Sequence, residues 1–285
     1  MRFSETDWAM SRNLTNVARI EFDAQVKAAY GAAGKLRRMV RYKGNVVGNE
    51  VRFRRTGRGM ATRRIPQTDL TPLNLTYTTI TCTLADWIAA EYTDVFDQQK
   101  TDVQERGIVA AEIGHAIGRR EDQMIIDALD AANAANAIPV GTTGMTDAKL
   151  RRAQALMDQR SVPEGMRKLI ISARAKEDLL ADVRFSSRDY VEATVIRTGR
   201  LPQIYGFDCE VIETRDEGGL PLAGTTRTNF AFDMQAIGLA VGLSGTTAVD
   251  WIAEKTSWLA SQPFSGGAVA IDSEGIIEIE TLEAA

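Results

Sequence analysis

Apolar and polar positions change period several times along the chain, and each change marks an element. Residues 15–39 favour helix through Ala18, Ala24, Val26, Ala28, Ala29 and Leu36, with Asn13 or Thr15 placed to cap it and Gly31 and Gly34 interrupting it. They predict an N-terminal arm that carries a helix. Residues 46–54 alternate apolar with polar, and 73–83 set Leu73, Leu75, Tyr77, Thr79 and Thr81 against Asn74, Thr76, Thr78 and Ile80, so two strands are expected. Between them, 56–64 is polar, glycine-bearing and aperiodic, which predicts a long two-stranded ribbon with a mobile tip. An isolated hairpin is marginal in water. No nearby segment offers this one an apolar seat, which predicts support from a neighbouring copy.

Across 94–132 no proline occurs, and Phe96, Val103, Ala110, Ile113, Ile117, Met124 and Ala128 recur at helical spacing. A helix of that length would span roughly 58 Å, with Gly107, Gly114 and Gly118 as its weak points. Residues 146–158 read as a short amphipathic helix through Leu150, Ala153, Leu156 and Met157, 161–165 as a turn, and 168–172 as a buried strand. Ser172 is placed to cap a further helix running to Ala181. Residues 206–213 alternate as a strand, 215–228 read as a polar loop and 229–232 as another strand, followed by a short helix at 235–242. The tail, 266–281, carries two apolar runs flanking Asp272-Ser273-Glu274-Gly275, a hairpin signal.

Length and charge narrow the picture. At 285 residues the chain can bury a real core as one large or two closely connected domains, without disulfides or metals. Cys82 and Cys209 stand far apart and read as free thiols. No apolar run approaches the roughly 20 residues that cross a bilayer, and no targeting peptide is recognisable, so no membrane role and a cytoplasmic product are expected. The net charge of −4 conceals a segregation: residues 35–64 hold eleven basic side chains and one acid, Glu50, so that segment is +10 and the remainder −14. One part of the molecule is made to meet an oppositely charged partner, either nucleic acid or another copy of the chain.

Candidate chemistry is sparse. His115 is the only histidine and has no nearby nucleophile or second ligand, and no Cys/His cluster of the zinc type exists. The glycine-bearing stretches 56–59 and 141–144 fit neither the Walker nor the dinucleotide pattern. Glu121-Asp122 and Asp127/Asp130 read as the solvated face of the long helix, and Trp8, Trp87, Trp251 and Trp258 as scattered core or interface anchors. No catalytic residue, cofactor or metal site is expected. The basic run straddles an alternating strand, whereas nucleic-acid arms tend to be disordered and lysine-rich, so subunit contact is the favoured reading of it.

Three phrases carry a family resemblance: Val162-Pro163-Glu164-Gly165-Met166-Arg167-Lys168-Leu169-Ile170-Ile171, Leu179-Leu180-Ala181-Asp182-Val183-Arg184-Phe185-Ser186-Ser187-Arg188-Asp189-Tyr190, and the 199–206 turn before a strand. With the element order arm, ribbon, long helix, mixed block and tail, the chain resembles the HK97-like major capsid proteins of tailed double-stranded DNA bacteriophages. The resemblance implies an α+β, HK97-like capsid fold with an N-terminal arm (1–43), an extended β-hairpin E-loop (44–77), a peripheral domain with a spine helix (78–139), an axial domain (140–245), and a return to the peripheral domain (246–285).

It further implies a structural protein that self-assembles into pentamers and hexamers of an icosahedral head around DNA bound without sequence specificity. Separate scaffolding, portal and decoration proteins would be its other partners, and it would reside in the virion after assembly in the host cytoplasm. Arg41, Arg52, Arg54, Arg55, Arg58, Arg63 and Arg64 are then the expected inter-subunit contacts, facing an acidic surface of Glu91, Asp94, Asp97, Asp102, Glu105 and Glu112 on a neighbour. The ribbon tip holds arginines and no lysine, with Lys43 at its base, which argues against the covalent cross-links some members form. Two alternatives stand beside this reading: an encapsulin-like compartment shell with protein cargo, and a soluble non-specific DNA-binding protein.

Overall fold

The computed structural model describes residues 34–67, 69, 72–96, 105–132, 137–182, 203–212 and 214–283. The predicted arm up to residue 33, Asp97 and Asp102, the side chain of Glu105, Trp8, and the 183–190 and 199–202 parts of the capsid-like phrases lie outside them.

In chain order the strands are β1 (Arg41–Lys43), β2 (Glu50–Thr56), β3 (Tyr77–Thr83), β4 (Ala85–Asp94), β5 (Ala137–Ile138), β6 (Arg167–Ser172), β7 (Gln203–Ile204), β8 (Phe207–Ile212), β9 (Leu222–Ala223), β10 (Thr226–Asp233), β11 (Ile237–Ser244), β12 (Ala248–Ile252), β13 (Ser257–Ala270) and β14 (Ile276–Leu282). The helices are α1 (Glu105–Ala131), α2 (Asp147–Gln159) and α3 (Ala173–Ala181). As expected, Ser172 caps α3, its hydroxyl accepting from the Ala175 N–H at 3.1 Å.

The strands form two larger sheets and one ribbon. In the first sheet the order is β1-β11-β13-β12, with β4 on the other side of β13; in the second it is β5-β14-β10-β6-β8-β7, with β9 on β10. Side-chain alternation divides the second sheet between two cores. Phe230, Phe232, Ile170 and Ile276 join α1 residues Ile117, Ile125 and Leu129 and first-sheet residues Leu239, Val241 and Phe264. Ala231, Leu169, Ile171, Ile277 and Ile279 instead pack with Leu150 and Met157 of α2 and Leu179 of α3. The long helix is therefore the shared wall of the two sheets.

Several expectations are corrected. Residues 85–94 are a strand, with Val95 and Phe96 helical directly after it; within the described residues α1 has 27 residues, about 40 Å, and runs unbroken through its glycines. Residues 237–244 are strand β11 and not a helix. Ile237 to Val241 are buried on both faces between β1 and β13, and a fully buried apolar run carries no period that separates strand from helix.

The predicted tail hairpin is also absent. β13 pairs with β11, β4 and β12, while β14 pairs with β10 and β5. The turn at Ser273–Gly275 is a single 3₁₀ turn that carries the chain from one sheet to the other. The stretch 246–285 thus contributes β12 and β13 to the first sheet and β14 to the second.

Candidate assembly surfaces

Strands β2 and β3 pair antiparallel from Glu50 opposite Thr83 to Thr56 opposite Tyr77, as the alternation requires. Alternation also decides what the ribbon base rests on. Val51 and Phe53 from β2 and Cys82 from β3 are buried against Ala240 and Ile271. The base is therefore seated on the protein's own first sheet, which corrects the expectation that only a neighbour could supply the surface. Contact there is close: a Cβ added at Gly267 of β13 would lie 2.2 Å from the Thr83 carbonyl oxygen. Beyond the Gly57 N–H to Thr76 carbonyl bond (2.7 Å) the ribbon is exposed, and apolar side chains go with it: Met60 is 86% exposed, and Ile65, Leu73 and Tyr77 are exposed too.

The predicted arginines fall into four groups. Arg63 and Arg64 are exposed in the outer segment. Arg52 and Arg54 are exposed on β2; Arg52 pairs at 2.9 Å with Glu50 of the same strand, while Arg54 borders the crevice between ribbon and body. Arg55 and Arg58 turn to the body, where Arg55 meets Asp272 at 3.1 Å and Arg58 meets Glu274 at 3.5 Å and the main-chain carbonyl of Arg160. Arg41 on β1 lies over the Phe53 ring at 5.6 Å. The carboxylates that the structure brings to the ribbon within one chain are Asp272 and Glu274. From sequence these two read only as turn residues, with two acids in a four-residue turn as the available signal.

Of the predicted acidic face, Glu91 is exposed in the middle of β4, and Asp94 ends that strand with its carboxylate accepting from the Phe96 N–H at 2.7 Å. Glu112, exposed on α1, holds Arg119 at 3.0 Å and approaches His115 Nδ1 at 3.6 Å. Glu105 is the first residue of α1.

Glu121 and Asp122 are buried, not solvated, and they clamp the point where the arm joins the body. Asp122, 1% exposed, accepts from the Lys35 N–H (3.1 and 2.9 Å) and the Leu36 N–H (2.9 Å), and pairs with Arg215 at 2.7 Å. Arg37 meets Glu121 at 3.1 Å. Beside them Gly34 lies so close to α1 that a Cβ there would be 2.6 Å from the Gly118 carbonyl oxygen, which explains glycine at position 34. Burial raises the pKa of both acids, opposed by Arg37 at Glu121 and by the Lys35 and Leu36 amides and Arg215 at Asp122.

An apolar surface remains uncovered at the ribbon base. By register Ile88, Ala90 and Tyr92 of β4 share a sheet face with Pro263, Ser261 and Leu259 of β13. Val47 is 98% and Ile88 71% exposed, and with Leu84, Leu243 and Pro263 they line an open groove of about 630 Å³. Both thiols are free: burial raises the pKa of Cys82 and pushes that of Cys209 up to about 12, which keeps them protonated and unreactive. Among the described residues no group of three or more His, Cys, Asp or Glu could hold a metal, and no helix is long and apolar enough to cross a membrane.

A basic ribbon with an exposed apolar outer half, an arm locked to a long helix and an uncovered sheet face together define a subunit built to be completed by other protein surfaces. Residues 14–283 match the family described as phage capsid protein, and the chain belongs to that family. Its role is that of a structural capsid subunit of a virion, which favours the capsid reading over the compartment and DNA-binding alternatives.

The fold is shared with solved capsid proteins at low sequence identity. The capsid of cyanophage P-SCSP1u superposes with a TM-score of 0.73 at 14% identity, over 100% of both chains. Mycobacterium phage Che8 gives 0.69 at 15%, covering 91% of this chain and 95% of that one, and the capsid of Ralstonia phage GP4 gives 0.68 at 12%, covering 94% and 96%. At the level of sequence, no curated protein matches.

Proposed function

We propose that the chain is the major capsid protein of a tailed phage, forming pentamers and hexamers of an icosahedral head that holds double-stranded DNA. The observation that carries this reading is the ribbon: half of it is seated on its own chain, and the other half offers arginines and large apolar side chains to solvent. Exposed apolar surface of that kind costs free energy until a neighbour covers it, and heterologous contacts that close by rotation make rings.

In this reading 44–77 is the E-loop and α1 is the spine. The first sheet belongs to the peripheral domain, and the second sheet with α2 and α3 to the axial domain. Arg52, Arg54, Arg63 and Arg64 meet acids such as Glu91 and Asp94 on the next copy, with orientation and rate as the main gain because each rim pair is weak. Assembly takes place in the host cytoplasm with separate scaffolding, portal and decoration proteins.

The test is electron microscopy with light scattering on the purified wild-type chain and an Arg52→Glu/Arg54→Glu variant. Arg55 is left in place because it pairs within the chain. Tested with and without scaffolding protein, wild type should form rings or closed shells, and the variant should remain small with an unchanged unfolding midpoint. Normal shells from the variant would refute the electrostatic docking.

A further inference from the structure

Where the ribbon base meets the body, a crevice of about 240 Å³ opens between β1, β2, the 160–163 loop and the 271–275 turn. Arg41, Arg54, Arg55, Arg58 and Arg160 line it. So do three carboxylates, Asp233, Asp272 and Glu274. Asp272 and Glu274 are engaged by Arg55 and Arg58. Asp233 is buried, and its carboxylate caps the turn through the Gln235 N–H at 3.1 Å. That leaves Arg41 and Arg54 without an ion pair among the described residues, and five guanidinium groups facing three carboxylates.

We infer that this crevice is a binding site for a carboxylate side chain of another copy of the chain, taken by Arg41 and Arg54. The inference rests on the capsid reading and adds a specific receptor to it. Two observations select the occupant. Outside residues 35–64 the chain is −14, so every neighbouring copy brings an excess of acids. The crevice is also the size of one or two side chains, whereas a duplex carries its phosphates on a wide convex surface that a recess this small does not admit. Guanidinium forks grip carboxylates through paired hydrogen bonds, which gives the contact direction as well as attraction. Because Arg55 and Arg58 already anchor the ribbon to the same rim, an acid inserted here would bind ribbon, body and neighbour together.

The experiment compares wild type, Arg41→Gln/Arg54→Gln and the control Arg152→Gln, an exposed arginine of α2 outside the crevice. The readouts are the critical concentration for shell formation at low and high salt, the unfolding midpoint of the unassembled chain, DNA retention, and a high-resolution map of the wild-type shell. The double variant should assemble only at about tenfold higher concentration at low salt, with the difference shrinking at high salt, while the control and the midpoint stay unchanged. The map should show a neighbour's carboxylate within hydrogen-bond distance of the two guanidinium groups.

Assembly of the double variant at the wild-type concentration would overturn the inference. So would normal assembly with loss of DNA retention, which would assign the crevice to phosphate. Failure of the wild type to form rings or shells, with and without scaffolding protein, would instead overturn the pentamer-and-hexamer reading beneath it.

Discussion

Replacing Asp122 with alanine tests the idea that one buried carboxylate fixes where the arm leaves the body. It removes the acceptor for the Lys35 and Leu36 amides and for Arg215, all within 3.1 Å, and leaves a guanidinium that is itself only 8% exposed without its counter-charge. Breaking a buried pair from one side costs about 3–5 kcal/mol. Burial raises the pKa of Asp122, so ionising it in place already carries a desolvation cost that is recovered on removal. The expected loss is therefore at the lower end, about 3 kcal/mol, or roughly 6 °C in Tm for a chain of this size.

Equilibrium urea unfolding of the unassembled chain measures it, and limited proteolysis near Lys35 reports whether the junction opens first. Asp122→Asn, which keeps one oxygen acceptor but no charge, should fall between. A loss below about 1 kcal/mol for the alanine variant, with the junction still protected, would show that the clamp contributes little and refute the reasoning.

Two further predictions concern buried charges. The Lys149 ammonium, on a residue 7% exposed, shares its three N–H groups among the carbonyls of Val140, Thr143, Gly144 and Glu280, all 2.8 to 3.0 Å away, tying the loop before α2 to β14. Lys149→Met should cost about 3 kcal/mol in urea unfolding and open the 140–144 amides to hydrogen exchange first; unchanged protection there would argue against the tie. Glu121, Asp122, Asp233 and Glu278 all have pKa values raised chiefly by burial, so the folded state holds their protons more tightly than the unfolded chain does. Their contribution is complete below the ordinary carboxylate values near pH 4 and is lost as pH rises through the raised values. The Tm of the unassembled chain should accordingly hold or rise between pH 7 and pH 5, and a steady fall over that interval would contradict the assignment.

Local chemistry made much of the chain legible. Ser172 announced its own cap, Leu150, Ala153 and Met157 their helix, and the alternation about Val51 and Phe53 a strand with one buried face. Asp127 and Asp130 are exposed, as acids on a helix were expected to be. The same rule failed five and six residues before Asp127. Glu121 and Asp122 lie on the face of α1 that the arm junction covers, and no local period reports a cover contributed by residues about ninety positions away.

The sequence by itself determined the period of the amphipathic segments, the capping and turn positions, and the segregation of basic from acidic residues, because each depends on neighbours a few bonds apart. The tertiary structure alone decided that β11 is a strand, that β13 and β14 part into different sheets, that the ribbon sits on Ala240 and Ile271, and that Asp272 and Glu274 receive Arg55 and Arg58. Those outcomes depend on which distant surface a face is buried against. A run such as Ile237 to Val241, apolar on every side, satisfies helix and strand equally until its neighbours are in place.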